Sequence, residues 1–429
     1  MIASEVREML SFIDGNPTAY HTTAAVRDIL LKAGFAELLE SRKWALEPGK
    51  DYFVCRNGSS IIAFRMGDQL ENYSFNVAAA HTDSPCFRIK ENAEIHMGQN
   101  YTKLNTEGYG GMICATWMDR PLSVAGRVLV QENGAIVSRL VALDRDLLMI
   151  PSVAIHMNRE VNKGVELNRQ TDMLPVFALL PEEEKKADYF LTFLAGELSV
   201  EKTDILDFEL TVYCKENPEF IGLNDDFISS PRLDNLTSCA ALISGLMDAR
   251  RMEGINLIAL FDHEEIGSHT KQGAGSILLH DMLRRILKEL GREQTAEQDL
   301  YRSMLLSVDV AHGIHPNQAG QMDLTNKPVL GRGFCIKEAS SQSYATDCEA
   351  IAIIQQICEK EKIAYQKFVN RSDMPGGSTL GSIASALLPV KTVDIGIPLL
   401  AMHSARELMG SADQQALKDL VTAYFTLAS

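Results

Sequence analysis

The chain has 429 residues, 46% apolar and 23% charged, which is the composition of a globular protein with room for two or three domains. It excludes a disordered, collagenous or coiled-coil chain. Fifty-seven acidic side chains against 41 Lys and Arg leave a net charge of −16, which argues against nucleic acid or an anionic membrane as a partner.

Residues 4–12 place Val6, Met9 and Leu10 on one helical face. Residues 18–33 predict a second helix, with Thr18 as its cap and Gly34 as its stop. Residues 61–64 and 75–80 have the texture of strands. The pattern then changes. Short β-rich runs at 122–130, 135–143, 147–155 and 208–213 follow Gly108, Gly110 and Gly111, with turn residues between them. They predict an antiparallel β domain. From residue 231 the α/β pattern resumes: a helix at 236–251, strands at 256–261 and 304–308, helices at 350–361 and 379–387, a strand at 392–395, and a last helix near 413–427. The expected fold class is α/β. A catalytic domain in two parts, 1–90 and 231–429, is interrupted by an inserted β domain at 91–230. The first part is too short to bury its own helices, which joins it to the C-terminal part.

No apolar run reaches the roughly 18 residues of a membrane helix. The run Met1-Ile2-Ala3-Ser4-Glu5 brings in charge where a signal peptide needs apolar residues, so a cytoplasmic protein is expected. The eight cysteines are scattered, with no CxxC pair, and are expected to be reduced.

Ligands of open parallel sheets gather past the carboxyl ends of strands. Four predicted strands lead there to charged residues: 75–80 into His81 and Asp83, 256–261 into Glu264 and Glu265, 304–308 into Asp309, and 392–395 by way of Pro398 to His403. An isolated strand end of this kind is coincidence; four suggest a shared site. His81 and Asp83 have the spacing of a metal ligand and the carboxylate that fixes its tautomer. Glu264 and Glu265 suit a metal hydrolase, with one carboxylate on the ion and one free to take a proton from water. Asp234 opens a helix, where it is either an N-cap or a carboxylate set between two cations. His81, Asp234, Glu265, Asp309 and His403 make two histidines and three carboxylates, a set suited to two divalent ions with one shared carboxylate. Zinc is the default for such donors, and cobalt or manganese also fits.

At this point the chain resembles a known family. The matching pieces are Ala78-Ala79-Ala80-His81-Thr82-Asp83-Ser84-Pro85, Arg232-Leu233-Asp234-Asn235-Leu236 and Asp262-His263-Glu264-Glu265-Ile266-Gly267-Ser268, followed by Ser307-Val308-Asp309 and Ala401-Met402-His403-Ser404. Together they resemble the aspartyl aminopeptidase family of dinuclear zinc exopeptidases. The resemblance implies a mixed-sheet peptidase domain with two zinc ions. His81, Asp234 and Asp309 would hold one ion, and Asp234, Glu265 and His403 the other. Glu264 would be the general base and Asp83 would orient His81. It further implies a cis peptide at Asp234–Asn235 and a substrate peptide with a free N-terminus. His156 would reach a neighbouring subunit's active site within a homo-oligomeric, dodecameric shell. Lys337 and Tyr344 would line the side-chain pocket, where the lysine would pair with an N-terminal Asp or Glu.

Other readings stay open from the sequence. Some family members prefer neutral, leucine-type residues. A related metal-dependent deacylase or carboxypeptidase shares the site plan but needs a basic residue to hold a substrate carboxylate. A non-enzymatic shell protein should have lost a ligand or the base, and here Glu264 and all five candidate ligands are present. The glycine-rich run 374–381 lacks the Gly-Lys-Ser/Thr ending of a phosphate loop.

Overall fold

In the computed structural model, residues 4–69, 73–98, 100–181 and 188–427 are described. The chain divides into two compact units. One contains the residues up to Asp83, Pro218–Met402 and the chain from Glu407 onward; the other contains Ser84–Asn217 and His403–Arg406.

The first unit is built on a nine-stranded sheet among the described residues. Four neighbouring strands at its centre, Ile255–Phe261, Phe75–His81, Met304–Val308 and Lys391–Gly396, all run parallel. Their carboxyl ends therefore share one edge. Ser60–Met66 flanks them antiparallel on one side and Phe334–Glu338 on the other, so the sheet is mixed. The central strands are almost wholly apolar and buried, as strands covered on both faces must be. Alternation splits them: Ala78, Ala80, Ile258 and Leu260 join one core, Val77, Ala79, Leu257 and Ala259 the other. Helices Ser4–Gly15, Ala19–Lys32, Leu233–Asp248, Cys348–Glu361 and Asp413–Phe425 cover the first face, and Leu278–Glu289 and Leu380–Leu387 the second. At the start of Ala19–Lys32 the Thr18 side chain accepts from His21 N, as its capping role predicts.

Among the described residues the second unit is a six-stranded antiparallel sheet, in the order Ala135–Ala142, Leu122–Glu132, Ile205–Cys214, Cys86–His96, Tyr101–Tyr109 and Val176–Leu179. Helix Tyr189–Leu198 packs Phe190 and Leu194 into its core beside Phe208 and Leu210. This unit begins at Ser84 and its first stretch ends at Asn217, where the sequence suggests 91 and 230. Residues 218–230 go elsewhere because Glu219–Ile221 pairs with Phe227–Ser230, which pairs in turn with Glu407–Gly410 of the first unit.

One expected strand is absent. Within 147–155 the ladder is reduced to single bridges at Leu148 and Met149. Pro151 then removes a backbone donor, and residues 151–157 are exposed. No helix among the described residues is long and apolar enough to cross a membrane.

Candidate active site

Strand Phe75–His81 ends in a buried imidazole, 1% exposed. Its Nδ1 lies 3.0 Å from the backbone oxygen of Asp83 and 3.4 Å from Asp83 Oδ1. Donation from Nδ1 to these acceptors leaves the Nε2 lone pair facing the opposite way, the arrangement a metal ligand needs. Nε2 faces two carboxylates, with Asp234 Oδ1 at 3.3 Å and Asp309 Oδ1 at 3.5 Å.

Asp83 has a second task. Its Oδ1 accepts from Glu264 N and its Oδ2 from Glu265 N, each at 3.2 Å. One buried carboxylate thus aligns both the imidazole and the turn that carries the paired glutamates. That turn follows strand Ile255–Phe261. His263 adopts φ +66° there, which swings Glu264–Ile266 off the strand axis as one turn of 3₁₀ helix.

Asp234 lies at the start of helix Leu233–Asp248 but has non-helical backbone angles, and its peptide bond to Asn235 is cis. It is not an N-cap. Its backbone N–H donates to Glu407 Oε2 at 2.9 Å, and Asn235 Nδ2 donates to the Val308 carbonyl at 3.0 Å, one residue before Asp309. No sequence motif marks Glu407; its signal is its place, in strand Glu407–Gly410 and 3% exposed. Asp309 follows strand Met304–Val308 and is itself buried. Gly396 makes this approach possible, since a Cβ there would sit 1.4 Å from the Asp309 carbonyl oxygen.

One donor atom each from His81, Asp234 and Glu265 falls within 4.8 Å of the others. Glu264 is the member of the pair outside that group. Lys337 is 1% exposed; its Nζ donates to the Val310 carbonyl at 3.0 Å and lies 5.0 Å from the centre of the Tyr344 ring. Tyr344 meets Phe368 edge-on, with ring centres 6.0 Å apart. His156 and His403 belong to the second unit. His156 is exposed in the loop 151–157, just past the end of the expected strand. His403 has φ +64°, and its carbonyl accepts from Ile113 N at 3.0 Å.

The charge balance defines what this site can hold. Burial alone would keep His81 low, but Asp234, Asp309 and Asp83 outweigh it and hold the imidazole well above its usual range. Burial pushes Glu264 up to about 8, with the negative Asp309, Asp83 and Asp234 adding to the rise. Burial and then Asp234 push Glu265 well above its ordinary value. Buried carboxylates crowded round one imidazole are short of positive charge, and divalent cations supply it. Nitrogen and oxygen donors with no thiolate fit zinc. Cys239 lies nearby, but burial pushes its thiol up to about 12, and it donates to the His81 carbonyl.

Comparison with known proteins decides the family. The Peptidase M18 profile, described as "Aminopeptidase I zinc metalloprotease (M18)", matches residues 12–425. The chain belongs to the M18 peptidase family. It is 45% identical over 410 residues to a protein of Clostridium novyi (strain NT) named "Probable M18 family aminopeptidase 2", covering 95% of each chain. Among solved structures it matches one titled "Cryo-EM structure of the Ape4 and Nbr1 complex" with a TM-score of 0.95 and 35% identity, covering 98% of this chain and 85% of that one. It also has the fold of the structure titled "Structure of S. cerevesiae mApe1 dodecamer", with a TM-score of 0.84, 24% identity, and 98% and 96% coverage. The protein is therefore a zinc metalloaminopeptidase of M18 type.

Proposed function

We propose that this aminopeptidase removes N-terminal Asp or Glu from peptides, using two zinc ions. The observation that carries the site assignment is the convergence of His81 Nε2, Asp234 and Glu265, with Glu264 beside them on the turn that Asp83 holds. His81, Asp234 and Asp309 would hold one ion, and Asp234 and Glu265 would belong to the second. His403 enters that second set on the family resemblance alone, as does His156 as a group acting on substrate. Cobalt or manganese would suit the same oxygen and nitrogen donors.

When bound, such ions polarise the scissile carbonyl and make water acidic enough to attack near neutral pH. The chain's own residues do the rest. Glu264 takes the proton from the attacking water and returns it to the leaving amine. Asp83 keeps Glu264 and His81 in register by bonding both. The surrounding carboxylates suit a free α-amine, which limits cleavage to one residue at a time.

The acidic preference rests on Lys337. It is a buried ammonium on the strand next to the one ending at Gly396, and it feels both Asp309 and Asp394. The net charge of −16 repels acidic substrates at long range, but salt screens that beyond about 8 Å. A charged hydrogen bond in a dry pocket is worth about 1.5–3 kcal/mol, or roughly 10- to 100-fold. Lys337→Met should therefore lower kcat/KM for aspartyl anilide by roughly 10- to 100-fold and for leucyl anilide by much less. Equal losses, or a native enzyme that already prefers Leu, would make the protein a neutral aminopeptidase. An N-acetylated aspartyl peptide should resist cleavage, and turnover of it would favour a deacylase.

The M18 fold includes a protein whose title names a dodecamer, and we extend that assembly to this chain. Its second unit offers a loop with Val153, Ile155 and Met157 exposed, apolar surface suited to burial between copies. Light scattering at micromolar concentration should give a mass many times that of one chain; a monomer would refute the assembly.

A further inference from the structure

One buried carboxylate near Lys337 has no part in the chemistry above. Asp394 lies midway along strand Lys391–Gly396, is fully buried, and pairs across the sheet with Lys337. One of its oxygens accepts from Ala345 N at 2.6 Å, and the other from the Thr379 hydroxyl at 2.8 Å. Its own backbone N–H donates to Thr346 Oγ1 at 2.9 Å. Thr379 N in turn donates to the Ser343 carbonyl at 3.2 Å.

These bonds join two segments that are far apart in sequence. Residues 343–346 carry Tyr344, whose ring faces the Lys337 ammonium. Residues 374–379 carry the exposed glycine-rich run and lead into helix Leu380–Leu387. Thr379 stands at the N-cap of that helix, where a Thr hydroxyl ordinarily satisfies a free backbone N–H. Here it makes no capping bond and turns to Asp394 instead. Gly381 lets the helix come down this far: a Cβ there would lie 2.5 Å from Ser307 Oγ and 2.7 Å from Asp394 Oδ2. Giving up a cap and a side chain to reach one carboxylate costs helix stability, so the contact has a use beyond packing.

We propose that Asp394 is a specificity-determining positioning residue: it fixes Tyr344 and the glycine-rich run around Lys337, so that the acidic side chain of the substrate meets a preset wall. The inference rests on the Lys337 reading. A carboxylate accepts from both donors with charge behind each bond, whereas an amide must turn its N–H₂ to the Thr379 hydroxyl and leaves both bonds uncharged. The carboxylate also supplies the negative charge that a lysine walled off from water requires.

The test uses the full-length zinc enzyme with aspartyl and leucyl anilides. Asp394→Asn should raise KM for the aspartyl substrate about tenfold, the scale of one lost charged hydrogen bond, and by more than it lowers kcat. The ratio of aspartyl to leucyl kcat/KM should fall while zinc content holds. Thr379→Val removes only the hydroxyl arm and keeps the charge. It should move KM in the same direction by less, and it carries the test if Asp394→Asn does not fold. Equal kcat losses on both substrates, or an unmoved KM in both variants, would overturn the proposal. Lys337→Met separates the two ideas. If it shifts the aspartyl-to-leucyl ratio while Asp394→Asn and Thr379→Val do not, the Asp394 inference fails alone. If it leaves the ratio untouched, the lysine reading fails and the specificity role of Asp394 fails with it.

Discussion

Replacing Glu264 with Gln is expected to lower kcat by about 10²–10⁴-fold while zinc content and melting temperature hold. The substitution preserves shape and removes only the capacity to take a proton. Of the two adjacent glutamates, Glu265 offers the oxygen that groups with His81 and Asp234, and Glu264 stands outside that group. Both backbone N–H groups are bonded to Asp83, so the turn should survive the change. Burial pushes Glu264 up to about 8, with the neighbouring carboxylates adding to the rise. Cations at the neighbouring carboxylates would draw it back toward the ionised form a base requires. The measurement is kcat beside zinc content on the same preparation. If zinc fell in step with activity, Glu264 would be a ligand and the roles within the pair would be exchanged.

Much of this site is legible in the sequence because open parallel sheets put function at strand ends. The strands leading to His81, Glu264 and Asp309 stand out as apolar runs, and the residues after them are those we assign to the chemistry. The parts that stay hidden depend on contacts between segments. Asp83 follows from spacing as the partner of His81, but its bonds to Glu264 N and Glu265 N span about 180 residues and leave no local trace. Glu407 and Asp394 are single acids in strands, and only the folded neighbourhood shows what each one holds. Asp234 reads equally well in the sequence as a helix cap, and its backbone bond to Glu407 leaves no mark there. The run 147–155 misleads for the opposite reason. Its apolar residues fit a strand, yet Pro151 ends the pairing and the following residues lie exposed. The unit boundaries shift because 218–230 pairs with a strand some 180 residues later.

Stripping the metal should abolish turnover and lower the melting temperature by several degrees, both restored by added zinc. The cause is electrostatic. Asp234, Asp309, Glu264 and Glu265 gather near one buried imidazole, and burial first, then their like charges, raises Glu264 and Glu265. Without cations the site must hold protons it would not otherwise bind or tolerate repulsion between ionised carboxylates, and either raises the energy of the folded state. An ion that binds only the folded chain stabilises it by about 4 kcal/mol when present at roughly a thousand times its dissociation constant. In a chain of this size that is a shift of a few degrees per ion, since the unfolding entropy grows with length. Thermal unfolding with and without a chelator reads the effect, and titration of the stripped protein with zinc reads the stoichiometry. Two equivalents should be needed for full recovery of the melting temperature. Recovery complete at one equivalent would leave a single ion in the site, and identical melting curves with and without chelator would mean that His81, Asp234 and Glu265 hold no structural charge partner at all.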